Sequence, residues 1–326
     1  MNPSPPLRWG ILGTGMIARK FAPQLGETPL AELAFAASRD RAKAKAFAAE
    51  VGAARFGDYD EMLADPEVDA IYVSLPNEFH KPWAIRALEA GKHVLCEKPL
   101  AGNAADAGEM FAAAERCGRV LVEAFMYRLL PVVRKAVELA RGGAIGEIRA
   151  VQSAFTFRRE ADRADGRYWS GPGQGGGALM DVGCYPLHFA RAIIGEEPSE
   201  CRCVARLHEF GVDEYAAAAL KFPGGAVADF VCGMTVDGHR ATHVLGTEGS
   251  LYLPDPWLGE PTLVLRRDLE ASEEFHLPKP MGSYALEAEA FHAAAAGGAE
   301  PWITKADTLG NLRALDALRR EIGVAV

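Results

Sequence analysis

The chain opens with short apolar runs separated by stretches of helical spacing. Residues 7–12 predict a strand, and the segment after them, to about residue 25, a helix. Residues 32–38 predict a second strand, and the alanine- and lysine-rich 41–50 a second helix. Residues 68–75, rich in β-branched and aromatic side chains, predict a third strand. A helix over 82–90, a strand over 93–96, a helix over 104–117 and a strand over 120–124 follow. Strands and helices alternating at this spacing imply βαβ units and a parallel sheet. The pattern changes after Phe125. One more helix, 130–141, ends at Gly142-Gly143, and longer alternating segments then appear over 147–158, 201–210, 214–222 and 226–235. Turn signals such as Pro223-Gly224-Gly225 divide them, so a mainly antiparallel sheet is expected. An amphipathic helix over about 305–322 closes the chain. The expected fold is α/β followed by α+β: a doubly wound parallel sheet of Rossmann type over 1–124, then an open, mainly antiparallel sheet domain over 125–326. The last helix, 305–322, is expected to pack back on the first domain.

Composition narrows the class. With 326 residues, 49% of them hydrophobic, the chain can bury a large core and fits two domains at about 100–200 residues each. The net charge of −9, without a basic stripe, speaks against a nucleic-acid backbone or an anionic membrane as partner. The six cysteines form no C-x-x-C pair and no zinc spacing with histidine, so no metal site is expected. They read as free thiols of a reducing cytoplasm, with Cys201 and Cys203 on one side of a strand. The first residues show no signal pattern, and no apolar run approaches the ~18–20 residues of a membrane span.

Between the first strand and the first helix stands Gly13-Thr14-Gly15-Met16-Ile17-Ala18. Gly13 permits a tight turn, Gly15 lets the backbone approach a pyrophosphate, and Ala18 keeps the helix close to the sheet. The free N–H groups and partial positive charge of the helix start then suit phosphate. The turn has the right element on both sides, so dinucleotide binding is expected. At the end of the second strand, Ser38-Arg39, with Lys43 following, suits a ribose 2′-phosphate, which favours NADP over NAD. Asp40 weighs the other way.

Two further segments carry candidate chemistry. Glu97-Lys98-Pro99 leaves the C-terminal end of the fourth strand, the edge at which open α/β sheets bind ligands. Asp181 and Tyr185 are four apart in a segment, 178–194, of helical spacing, so they share a face. Gly183 and Pro186 are poor helix residues beside them, and Pro186 is expected to kink or interrupt the helix.

Together these segments resemble the glucose–fructose oxidoreductase/inositol dehydrogenase (Gfo/Idh/MocA) family. The resemblance rests on Gly13-x-Gly15-x-x-Ala18, Pro76-Asn-Glu-Phe-His80, Glu97-Lys98-Pro99 and Asp181-x-Gly183-x-Tyr185. Gly246-Thr-Glu-Gly-Ser-Leu251 is similar to a turn of the family's second domain. Many members carry His where this chain has Tyr185. That tyrosine, with Glu123-Ala-Phe-Met-Tyr-Arg128, resembles the dimeric dihydrodiol dehydrogenases and NADP-dependent xylose dehydrogenases. The resemblance implies that Glu97 and Lys98 line the cofactor and active site, that Leu75, Pro76, Asn77 and His80 lie by the cofactor, and that Asp181 and Tyr185 reach the substrate. It also implies a homodimer or homotetramer formed through the second sheet.

The chemistry expected is hydride transfer between a nicotinamide and a polyhydroxylated small molecule: a sugar, polyol or cyclic diol. Tyr185 is the expected acid/base. A free tyrosine titrates at about 10, and a nearby Lys98 ammonium would favour its phenolate. Asp181 would orient the substrate hydroxyl or Tyr185, and His188 is the reserve acid/base. Arg128, Arg158 and Trp169 are left outside the catalytic set. Two alternatives stand beside this reading: a ketosugar or anhydrosugar reductase on the same site, and a non-catalytic NAD(P)-binding regulator.

Overall fold

The first apolar run, Leu7–Leu12 (β1), is almost wholly buried, as a strand covered on both faces requires. The computed structural model describes residues 5–158, 171, 174–267 and 271–326. They fall into two units. In the first, β1 is followed by α1 (Met16–Leu25), β2 (Ala31–Ala37), α2 (Arg41–Val51), β3 (Arg55–Gly57) and α3 (Tyr59–Ala64). Then come β4 (Ala70–Val73), α4 (His80–Glu89), β5 (His93–Glu97), α5 (Ala104–Cys117) and β6 (Leu121–Ala124). The strands form one six-stranded sheet in the order β3-β2-β1-β4-β5-β6, every pair parallel. The five expected strands are present. The sixth, β3, is a three-residue edge strand, too short to show a period, and α3 after it is set by a capping box of Asp58 and Glu61.

The second unit holds α6 (Pro131–Arg141), β7 (Ile148–Thr156), a π-helical turn (Leu179–Gly183) running into α7 (Cys184–Ile194), then β8 (Glu200–Leu207), β9 (Asp213–Lys221) and β10 (Val227–Gly233). Four more strands follow: β11 (Thr242–Gly246), β12 (Gly249–Leu253), β13 (Thr262–Arg267) and β14 (Ala271–His276). The eight-stranded order is β14-β13-β12-β11-β7-β10-β9-β8. Every neighbouring pair is antiparallel except β7 with β10. Side chains alternate over 215–221 of β9 and 227–232 of β10: Ala216, Ala218, Leu220, Ala228, Phe230 and Cys232 are buried, while the residues between them are exposed. Cys201 and Cys203 share one face of β8, as expected.

One expectation differs from the structure. The chain was expected to leave the first domain at 124, yet Pro280–Thr308 belongs to the first unit. This stretch contains α8 (Ser283–Gly297), a helix buried on most sides and therefore without the amphipathic stripe that marks a surface helix. Phe291 packs 5.0 Å from Trp9, and Tyr284 meets Phe21, which stacks on Tyr72 at 3.8 Å. α8 thus covers the first core. The last helix, α9 (Lys305–Glu321), belongs to the second unit from Leu309 onward. As expected, the helix is irregular beside Pro186: the π turn of Leu179–Gly183 lies just before it, and α7 continues through the proline to Ile194. Among the described residues no helix is long and apolar enough to cross a membrane.

Candidate active site

The register of the parallel sheet gathers the expected cofactor residues. Leu12 pairs with Ala37 and with Val73, and Val73 pairs with Cys96. The loops after β1, β2, β4 and β5 therefore leave from one edge at matched positions. Those loops carry Gly13 to Ala18, Ser38 to Lys43, Leu75 to His80, and Glu97-Lys98. All fifteen residues expected at the cofactor lie on this C-terminal edge or in the helix starts that follow it.

The turn after β1 is built for an anion. Gly13 has φ +102°, a conformation that costs a side-chain-bearing residue, and a Cβ there would also crowd Ser74 and Leu75. Gly15 is the N-cap of α1 and supplies no side-chain cap to its first N–H groups. A Cβ built on Gly15 meets no atom within 4 Å, so open space faces the helix start. Ala18 is fully buried beneath it. Uncapped N–H groups, a helix dipole and room for approach fit a pyrophosphate. At the end of β2, Asp40 turns its carboxylate to the N–H groups of Ala42 and Lys43 and caps α2. Its charge is engaged there, beside exposed Arg39, whose guanidinium lies over the Phe79 ring.

Side chains from three elements brace the segment around Lys98. His80 is wholly buried, with its ring nitrogens 2.9 Å from the Pro99 carbonyl and 2.8 Å from the Leu75 carbonyl. It thus ties the loop after β4 to the loop after β5. Glu123, at the end of β6, accepts the Leu100 N–H at 2.8 Å. The Tyr72 hydroxyl donates to Glu97, whose carboxylate also faces the Lys98 N–H. Tyr72 was not singled out from sequence, and Glu123 was named only as the start of the segment 123–128, with no role given to it. Both are strand residues whose partners lie some twenty-five positions away, and no local pattern marks such a pair.

Buried in the same unit is Glu287 of α8, whose two carboxylate oxygens have no hydrogen-bond partner. Burial, and the charge of Glu97, push its carboxyl well above the usual range. The folded chain therefore holds a proton that the unfolded chain releases above about pH 4.5. Stability is full below that pH and falls as pH rises toward the folded pKa. Glu287→Gln removes this dependence. It is expected to raise Tm at pH 8 by about 2–4 °C, which corresponds to ~1 kcal/mol for a unit of this size. A lower Tm for the variant at pH 8, in thermal melts from pH 5 to 9, would refute the neutral state of Glu287.

In the second unit the π turn presents half-buried Asp181, and α7 presents Tyr185, which is 8% exposed. A π turn is a wide, uncommon turn that recurs at functional positions. Tyr185 is held among rings: Phe155 at 5.2 Å, Tyr127 at 5.3 Å and Trp257 at 6.1 Å. The Trp257 indole N–H donates to the Ala154 carbonyl at 2.8 Å and fixes this group to β7. His188 lies below, buried, its Nδ1 accepting from the Tyr127 hydroxyl at 2.8 Å and from Arg128 at 3.3 Å. Burial, then the charges of Arg128 and Arg191, drive its pKa well down and keep the ring neutral. This is the setting of a packed structural histidine. Arg128 is thereby a partner of His188, Arg158 bridges to Thr235 on the exposed sheet end, and Trp169 lies outside the described residues. No group of three metal-binding side chains occurs among the described residues.

Comparison with known proteins agrees with this architecture. Residues 7–125 match the family model of the GFO/IDH/MocA oxidoreductases, described as an NAD-binding Rossmann fold, and 133–252 match the C-terminal domain of the same family. The D-xylose 1-dehydrogenase (NADP(+)) 2 of Haloferax volcanii is 33% identical over 98% of this chain and 99% of its own. The trans-1,2-dihydrobenzene-1,2-diol dehydrogenase of Mus musculus is 35% identical over 77% of this chain and 75% of its own. Among solved structures, a 3-ketoreductase from Actinomadura kijaniata, in complex with TDP-benzene and NADP, superposes with TM-score 0.86 at 32% identity. It covers 97% of this chain and 98% of that one.

Proposed function

The chain belongs to the Gfo/Idh/MocA family of oxidoreductases, and we propose that it moves a hydride between NADP, in preference to NAD, and a carbinol carbon of a sugar, polyol or cyclic diol. One observation carries this reading: four candidate loops meet at one edge of the parallel sheet, around a helix start without a cap. The turn from Gly13 to Ala18 would hold the pyrophosphate. Ser38 and Arg39 would hold the 2′-phosphate, since the competing carboxylate of Asp40 is committed to capping α2. When bound, the nicotinamide would supply the hydride acceptor for oxidation or the donor for reduction. The chain's own task is then the proton. Tyr185 takes it from the substrate hydroxyl, or returns it to a carbonyl oxygen, and the positive charge of Lys98 assists by favouring the phenolate. Asp181 orients the hydroxyl or Tyr185.

The substrate class rests on the relatives, one named for D-xylose and one for a cyclic trans-diol. The Actinomadura 3-ketoreductase favours a second reading, reduction of a ketosugar by the same residues. Absorbance at the reduced-nicotinamide band tests both. Purified protein is given NADP or NAD with aldoses, inositols and cyclic diols, then NADPH with ketosugars. NADP reduction by one alcohol supports the first reading, and NADPH oxidation by a ketosugar alone selects the second. Bound NADP(H) without turnover in either panel would overturn catalysis and leave a cofactor-binding regulator.

The outward face of the second sheet exposes Val204, Val227 and Val231, 72%, 47% and 43% accessible. A second copy of this chain is the proposed occupant of that face. A monomer by light scattering at micromolar concentration would refute it. The six cysteines are all free, which suits the proposed cytoplasmic compartment.

A further inference from the structure

The π turn that carries Asp181 starts against a buried carboxylate from another element. Asp213 is the first residue of β9 and is wholly buried. Its Oδ2 accepts the N–H of Leu179, the first residue of the turn, at 2.6 Å. Its Oδ1 lies over Gly177, where a Cβ would stand 2.2 Å away, and Gly177 has φ +101°. The chain has therefore given up a side chain at 177 and adopted a left-handed backbone where the helix start meets the carboxylate. An acid placed at a helix start satisfies an N–H that the helix itself leaves unpaired and interacts favourably with its dipole.

We propose that Asp213 is a positioning residue: by accepting the Leu179 N–H it fixes where the π turn begins, and with it the placement of Asp181 and Tyr185. The inference rests on the reading of those two residues given above. The groups facing Asp213 are Cys203 of β8, Cys232 of β10 and Arg319 of α9. Burial pushes both thiols up, Cys203 to about 12, so they are neutral, and Arg319 is paired with Asp316 at 3.8 Å. Burial also drives the Asp213 carboxyl up to about 6, against the pull of the Leu179 N–H and Arg319. Above that pH the carboxylate caps the turn. Below it a neutral carboxyl, a weaker acceptor, holds the turn less firmly. The raised pKa means that ionised Asp213 costs stability, a cost that develops between about pH 4 and 6 and persists above. A residue kept at a cost to stability beside a candidate site is the pattern expected of a functional constraint.

Asp213→Asn separates the two roles, since its amide oxygen still accepts a hydrogen bond but cannot titrate. Turnover of D-xylose, or of the substrate that the panel identifies, is followed from pH 5 to 8. Amide exchange of the peptide holding residues 179–183 is followed over the same range, corrected for intrinsic rates. The native chain should lose kcat and protection together as pH falls through about 6. In the variant the acid limb should vanish, with kcat lowered about 10-fold or more at pH 7.5 by misplacement, NADP affinity unchanged, and Tm equal or higher. A merely structural Asp213 would instead lower Tm and leave the pH profile in place. An acid limb near pH 6 that persists in Asp213→Asn, or pH-independent protection in the native chain, would overturn the inference. Tyr185→Phe, run beside it, keeps the two readings apart. A fully active Tyr185→Phe removes Tyr185 alone, and the limb then decides Asp213 through Asp181.

Discussion

The Tyr185→Phe protein is expected to turn over about 10²-fold or more slowly than the native chain, the usual worth of a positioned acid/base, with NADP affinity kept within a few-fold. The size of the effect follows from what the substitution leaves intact. The Tyr185 ring packs edge-on against Phe155 and tilted against Tyr127, and phenylalanine keeps every one of these ring contacts. Only the hydroxyl is lost, so the fold and the parallel sheet of the other unit are untouched. Loss of turnover without loss of cofactor binding would then report the missing proton transfer. The measurement pairs kcat on the panel's best substrate with NADP(H) affinity by titration. A near-native kcat would take the acid/base role from Tyr185. His188 is a poor replacement, because its Nδ1 is engaged by Tyr127 and Arg128 and burial keeps its ring neutral.

Trp257→Ala is expected to cost the second unit about 3–5 kcal/mol, the range for truncating a fully buried large aromatic, and to lower Tm by roughly 10 °C or more. Trp257 has no exposed surface. Its ring lies parallel to Phe155 at 5.9 Å and edge-on to Tyr127 at 5.5 Å and Phe189 at 5.7 Å. Its N–H also donates to the buried Ala154 carbonyl, so removal leaves both a cavity and an unmet acceptor. Trp257→Phe, which keeps most of the ring volume, should cost much less and isolates the hydrogen bond. Guanidinium and thermal unfolding of both variants provide the check. A loss under 1 kcal/mol for Trp257→Ala would show that the aromatic group collapses around the gap and does not hold Tyr185 in place. The same variant should reduce kcat more than NADP affinity, because Tyr185 would lose one wall of its seat.

What the sequence settled by itself was local. The turn from Gly13 to Ala18 was legible because its requirements fall on adjacent residues: a positive φ at Gly13, no Cβ at Gly15, a small residue at Ala18. The parallel strands were legible because burial on both faces makes β4 a continuous apolar run and leaves Arg8 as the one charged residue of β1, and β9 and β10 because burial on one face makes them alternate. Asp181 and Tyr185 were named together because they are four residues apart in a segment of helical spacing.

Tertiary structure alone decided the rest, for a common reason: those contacts join residues far apart in the chain, and periodicity carries no record of a distant partner. Helix α8 returns to the first core more than 150 residues after β6, and being buried on most sides it has no stripe to say which unit it covers. The bracing of the Lys98 segment by Tyr72, His80 and Glu123 exists only once three strand ends share an edge. The π turn, and the buried Asp213 at its start, depend on β9 arriving thirty-four residues later beside a glycine that leaves room for its carboxylate. Sequence named the groups able to do chemistry, and the packing of distant segments determined how each of them is held.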